Sequence, residues 1–170
     1  MKNILVTGGA GYIGAHIIEI LIKKKLNIFI VDNLTTGHKQ LINKKAKFFK
    51  LDILKTNELK KIITTHNIDS IIHLAANLII SEGEKRPKKY FNNNVIGTQS
   101  ILEASEGTKV KNFLFSSTAA VYKDGIYRVT ESSQIKPKSI YGKTKVKAEK
   151  LIKTNCKKLK INYAILRYFN

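Results

Sequence analysis

The sequence predicts an α/β protein, a doubly wound parallel sheet with helices on both faces. Two observations carry that prediction. Short apolar runs alternate with amphipathic, helix-spaced segments along the whole chain. In addition, the apolar run at residues 4–6 leads into Gly8, Gly9, Gly11 and Gly14 and then directly into a helical pattern. With 170 residues and 43% hydrophobic content, one domain (1–170) with a sizeable core is expected.

The elements follow in order. Residues 4–6 read as the first strand, and Ala15, Ile17, Ile18, Leu21 and Ile22 give the first helix its apolar spacing. Residues 27–31 form a second strand ending at Asp32-Asn33, residues 37–43 a short helix or loop, and residues 46–51 a third strand ending in Asp52-Ile53. Residues 56–65 are amphipathic, with Leu59, Ile62 and Ile63 on one side. Residues 68–74 form a fourth strand running into Ala75-Ala76. Pro87 opens a long helix to about Ala104, closed by Gly107. A fifth strand at 110–115 ends in Ser116-Ser117-Thr118, residues 119–140 make a surface excursion, 139–158 are helical, and 161–166 are a sixth strand.

Composition narrows the function classes. No apolar run approaches the roughly 18 to 20 residues that span a bilayer. Met1-Lys2-Asn3 leads straight into the first strand, so no signal peptide is expected, and the unpaired Cys156 fits a reducing, cytoplasmic setting. The net charge is +19, yet the lysines are dispersed over the polar sides of helices, and arginine is confined to Arg86, Arg128 and Arg167. Without a basic stripe interleaved with aromatics, nucleic acid is not the expected partner. His16, His38, His66 and His73 lack metal-ligand spacing, so no metal site is expected.

The glycine stretch carries the chemistry. Gly8 permits a tight turn, Gly11 lets the backbone approach a pyrophosphate, and Gly14 lets the helix lie close to the sheet. The helix N-terminus then presents free N–H groups to the phosphates. Asp32 lies at about the interval expected for the acid that receives both adenosine ribose hydroxyls; it repels a 2′-phosphate, so NAD is favoured over NADP. Tyr141 and Lys145 stand four apart at a helix start, on one face. An ammonium beside a phenol favours the phenolate, and the positive nicotinamide ring pushes the same way. Thr118, at the end of the fifth strand, can bond a substrate hydroxyl while Tyr141 moves its proton.

These motifs resemble the extended short-chain dehydrogenase/reductase family, a Rossmann-fold family, and within it the sugar-nucleotide 4-epimerases. The matching residues are Thr7 to Gly14, Val31-Asp32-Asn33-Leu34, Asp52-Ile53, His73-Leu74-Ala75-Ala76, Asn92 to Thr98, Ser116 to Tyr122, Tyr141 to Lys145 and Leu166 to Asn170. The resemblance implies that Tyr141 is the base for the 4-hydroxyl of a UDP-sugar, that Lys145 tunes it and bonds the nicotinamide ribose, and that Thr118 aligns the hydroxyl. It places Gly8, Gly11, Tyr12, Ile13, Gly14, Asp32, Asn33, Asp52, Ile53, Ala75, Ala76, Asn93, Ser116, Tyr141, Lys145 and Tyr168 around NAD. Thr118, Tyr141 and Asn170 then face the substrate. It also implies a homodimer through residues 87–104 and 139–158, where Tyr90, Ile101, Leu151, Ile152 and Leu159 exceed a single sheet-facing stripe. Relatives run to about twice this length, and their second half builds most of the sugar-nucleotide pocket, so a truncated NAD-binding domain is the expectation. Two alternatives remain. One is a dehydratase, decarboxylase or reductase of the same family, with Ala119-Ala120 in place of an acidic pair arguing against the first. The other is an inactive NAD-binding module.

Overall fold

A computed structural model describes residues 2–125 and 128–169. Chain order gives β1 (Asn3–Thr7), α1 (Tyr12–Lys23), β2 (Asn27–Asp32), β3 (Lys47–Lys50), α2 (Thr56–Thr65), β4 (Ser70–His73), α3 (Ile80–Lys85) and α4 (Pro87–Phe91). A π-helical turn (Asn92–Ile96) then leads into α5 (Gly97–Ser105), β5 (Asn112–Thr118), α6 (Ile140–Leu159) and β6 (Asn162–Tyr168). The sheet order is β3-β2-β1-β4-β5-β6, with every neighbouring pair parallel. Strand order reverses between β1 and β4, the place where such sheets open a crevice at their carboxyl ends.

Strand residues alternate between two cores. Ile4, Val6, Ile28 and Ile30 pack with Ile18 of α1. On the opposite face Leu5, Val31, Ile71, Phe113 and Phe115 pack with Leu59 and Ile63 of α2, Ile101 and Leu102 of α5, and Ala148 and Ile152 of α6. Helices therefore cover both faces, as the alternation predicts. Cover is uneven, however: over the outer strands on the α1 side, Leu114, Ala164 and Ile72 line an open groove, and Leu166 is exposed. Cys156 is buried in the α6 core, where burial pushes its thiol up to about 11.

Three expectations change. The helix from Pro87 is α4 and α5 joined by the π turn, which inserts an extra residue without breaking the rod. α3 was not anticipated, because six residues are too few to show a helical period. Tyr90, Ile101 and Ile152, offered as surplus apolar positions for self-association, are wholly buried within the chain. α5 is buried almost all round, so its apolar residues serve the internal core; Phe91 and Ile96 are the ones left exposed on these helices.

Candidate active site

The crevice begins where β1 ends. Gly8 adopts φ +76°, and a Cβ there would meet the Ala75 nitrogen at 2.6 Å, so the turn and the segment after β4 touch backbone to backbone. At Gly14 a Cβ would meet the Gly8 carbonyl oxygen at 2.6 Å. Gly11 caps α1 without a side-chain acceptor, and no acid lies in the first turn, so the N–H groups from Tyr12 and Ile13 onward lack a side-chain partner.

Asp32, at the end of β2, is buried and ties this turn in place: its Oδ2 accepts the Ala10 N–H at 3.0 Å and its Oδ1 the Leu34 N–H at 2.8 Å. Asp52 accepts from the Asn33 side chain at 2.9 Å and from the Leu54 N–H at 2.9 Å. Between them lies a cavity of about 320 Å³, whose lining includes Gly8, Asp32, Asn33, Asp52, Ile53, Ala75, Ala76 and Asn93. Eight of the predicted cofactor residues thus meet in one place.

The second group stands at the end of β5. Lys145 is buried; its Nζ donates to the Ser116 carbonyl at 2.8 Å and lies 4.7 Å from the Phe115 ring centre and 5.8 Å from that of Tyr141. Burial lowers Lys145 to about 7, with the Glu149 carboxylate opposing. Tyr141 is only half-buried, yet burial pushes its phenol above the ordinary value, while the Thr118 hydroxyl pulls back. The lowering expected from Lys145 is not what acts on the phenol in this state: desolvation raises it, and the opposing contact is the Thr118 hydroxyl.

Buried polar contacts tie the two groups together. The π turn puts Asn94 inside, where its side chain exchanges two hydrogen bonds with the Asn77 backbone, at 2.8 and 2.9 Å, and donates to Thr144 Oγ1 at 3.1 Å. Thr144 Oγ1 in turn donates to the Tyr141 carbonyl at 2.7 Å. His73 sits between Thr7 Oγ1 at 2.7 Å and Thr98 Oγ1 at 3.0 Å, and burial drives it down to about 3, so it is neutral. Thr98 spends its proton on the Asn94 carbonyl, which assigns the imidazole proton to Nε2 and makes Nδ1 the acceptor from Thr7. Glu149, buried on α6, accepts from Ser117 Oγ at 2.6 Å and from Arg167 Nε and Nη2 at 3.0 and 2.6 Å; Arg167 Nη1 donates to the Tyr122 hydroxyl at 2.8 Å.

The sequence pattern of the NAD dependent epimerase/dehydratase family matches residues 4–170. The chain belongs to that family. It is 41% identical to UDP-glucose 4-epimerase of Lactobacillus helveticus, over 99% of this chain and 51% of that protein. It is 40% identical to the UDP-glucose 4-epimerase of Halalkalibacterium halodurans, over 98% of this chain and 50% of that protein. Among solved structures it is similar to the Thermotoga maritima UDP-glucose 4-epimerase with UDP-glucose (TM-score 0.95, 32% identity, 99% of this chain, 56% of that one). It is likewise similar to the Brucella ovis UDP-glucose 4-epimerase in complex with NAD (TM-score 0.94, 35% identity, 100% and 52%). The chain spans about half the length of the curated relatives it matches.

The cradle fits the dinucleotide named by the epimerase/dehydratase family. A glycine turn with no room for a Cβ meets an uncapped helix start, and a buried carboxylate sits at the end of β2. Some predicted residues lie elsewhere. Tyr12 is 76% exposed, its ring against His16, while its backbone N–H belongs to the uncapped helix start. Tyr168 pairs with Thr118 across the ladder, but its side chain lines a separate groove of about 510 Å³ outside β6, with Tyr122 and Phe169. Ser116 contributes its carbonyl to Lys145. Asn170 lies outside the described residues. Asn93 lines the cavity, and the structure adds Asn94, which falls four residues from both Tyr90 and Thr98 on the buried stripe. Glu149 and Arg167 left no such signal, being joined only by the fold.

Proposed function

We propose that these residues form the NAD-binding half of an enzyme that inverts C4 of a UDP-hexose through a 4-keto sugar. The observation that carries the reading is Tyr141 and Lys145 converging with Thr118 at the end of β5, tied through Thr144, Asn94 and Asn77 to the Asp32 cavity. The chemistry NAD supplies when bound is to take a hydride from the sugar and give it back on the other face. Tyr141 removes the 4-hydroxyl proton as the ketone forms and returns it afterwards; Thr118 fixes the hydroxyl's direction. Lys145, its Nζ 5.8 Å from the Tyr141 ring centre, is the residue assigned to tune the phenol. Asp32 and Asp52 hold the adenosine end, Asn33 being fixed by Asp52, and the glycine turn holds the pyrophosphate. The lone buried thiol is consistent with a cytoplasmic enzyme.

The test is a comparison of dinucleotides. NAD is expected to bind more tightly than NADP. Asp32 also receives the Ala10 and Leu34 N–H groups, one on each oxygen, so Asp32→Asn keeps the size but turns an NH2 toward one of these donors, and thermal unfolding of the variant is measured beside its NAD affinity. The substitution should weaken NAD by about tenfold or more, the scale of charged hydrogen bonds lost to the ribose, and narrow the preference. Calorimetric titration giving equal affinities for the two dinucleotides in the unmodified chain would refute the reading.

We also propose a homodimer through the α4–α5 and α6 surface. A cleft between α4 and α6 is lined by Pro87, Phe91 and Ile140 together with Lys88, Lys143 and Lys147. Like charges oppose contact at low salt, so the dimer fraction in sedimentation should rise between low and moderate salt. A monomeric mass at high protein concentration and moderate salt counts against it.

A further inference from the structure

The dinucleotide cavity has an unusual charge balance for a site that must take an anion. Its lining carries two carboxylates, Asp32 and Asp52, and a single cationic side chain, Lys89. A pyrophosphate brings two negative charges into this setting. The uncapped start of α1 answers part of that charge, but its effect is confined to the first turn. Lys89 lies one turn before Asn92 and Asn93, which line the same cavity, as do the glycine turn at Gly8 and the Ala75-Ala76-Asn77 segment.

In the present state Lys89 is engaged elsewhere. Its Nζ contacts Glu82 Oε1 of α3 at 2.6 Å, and the Lys89 side chain is 40% exposed. An ion pair this open is weak and readily exchanged. Glu82 does not depend on it alone: Tyr90 donates its hydroxyl to Oε2 at 3.3 Å, and Arg86 Nη1 lies 3.9 Å from Oε1. Lysine suits such a handover, because its flexible stem and three donors can keep one partner while gaining another.

We propose that Lys89 is the cation that receives the pyrophosphate of the dinucleotide, held by Glu82 until the anion enters. The assignment rests on the NAD reading of the cavity and adds a binding residue to it. Glu82 then acts as a competitor for the lysine, so the pair sets how much of the phosphate attraction is available at a given ionic strength.

The experiment titrates the chain with NAD, ADP-ribose and adenosine in a calorimeter, at two salt concentrations. Lys89→Met should weaken NAD and ADP-ribose by roughly three- to tenfold, between an exposed pair and a buried charge-assisted hydrogen bond, and leave adenosine unchanged. Its salt dependence should be shallower than that of the unmodified chain. Lys89→Arg should retain most of the affinity, Glu82→Gln should tighten NAD, and Lys85→Met, on the exposed end of α3, should change nothing. If Lys89→Met binds NAD as the unmodified chain does, or loses adenosine as much as NAD, the assignment to Lys89 is wrong while the cavity reading stands. An unmodified chain without affinity for NAD overturns both.

Discussion

Arg167→Ala is expected to destabilise the chain by about 3–5 kcal/mol, the scale of breaking a buried ion pair from one side. The Arg167 and Glu149 side chains are 12% and 3% exposed, so the carboxylate left behind has little access to water. Burial by itself would raise Glu149, yet its carboxyl is held below the ordinary value by hydrogen bonds from Arg167 and Ser117 and by the guanidinium charge. Without Arg167 the Ser117 hydroxyl and the Lys153 charge remain, and desolvation weighs more. The network also spans β5, α6 and β6, so its loss loosens the strand end that carries Ser116 and Thr118. Urea unfolding at neutral pH measures the effect. A second arm identifies the cause: the penalty should shrink as pH falls and the unpaired Glu149 becomes neutral, since a protonated carboxyl no longer needs a counter-charge. The double variant Glu149→Gln, Arg167→Met should lie well above Arg167→Ala in stability. A loss below about 0.5 kcal/mol for Arg167→Ala would show that the pair contributes nothing.

What could be read from the chain depended on how far apart the cooperating residues lie. The glycine turn and Asp32 were legible because local backbone demands and a fixed interval write themselves into sequence: Gly8 needs its positive φ, and Asp32 sits where β2 ends. Strands showed as apolar runs because both faces of a parallel sheet are covered. The α5 stretch misled, since a helix buried on nearly every side has no polar face to mark its orientation. Asn94 stands in a run of three asparagines, where its spacing of four from Tyr90 and Thr98 is the one mark of which side chain enters the core. Lys145 was placed correctly on the face of Tyr141, but its burial, and hence its lowered pKa, depends on Phe115 and on α6 packing against β5. Glu149 and Arg167 lie 18 residues apart in separate elements, and nothing local ties them.

Residues 1–170 by themselves are expected to bind NAD yet convert UDP-galactose to UDP-glucose at no more than a trace of a full-length relative's rate. Gly8, Asp32, Asn33, Asp52 and Lys89, all proposed for dinucleotide binding, surround one cavity within these residues. Catalysis asks for more. Hydride transfer needs the reacting carbon within about 3 to 3.5 Å of its acceptor, and such positioning supplies roughly 7 to 11 kcal/mol of a barrier. On this chain the side chains beyond β5 open into the outer groove of β6, where Phe169 is 63% exposed and Tyr168 also faces outward. No wall stands there among the described residues to hold a nucleotide against Thr118 and Tyr141. Relatives of about twice this span have the length for such a wall. The measurement is product analysis with these residues alone, and again after mixing with a separately expressed second half from the Lactobacillus helveticus relative. Full turnover from the 170 residues alone would refute the expectation. Turnover that appears only on mixing, and is lost with Tyr141→Phe while NAD affinity persists, would assign the acid–base step to this half and the positioning to the other.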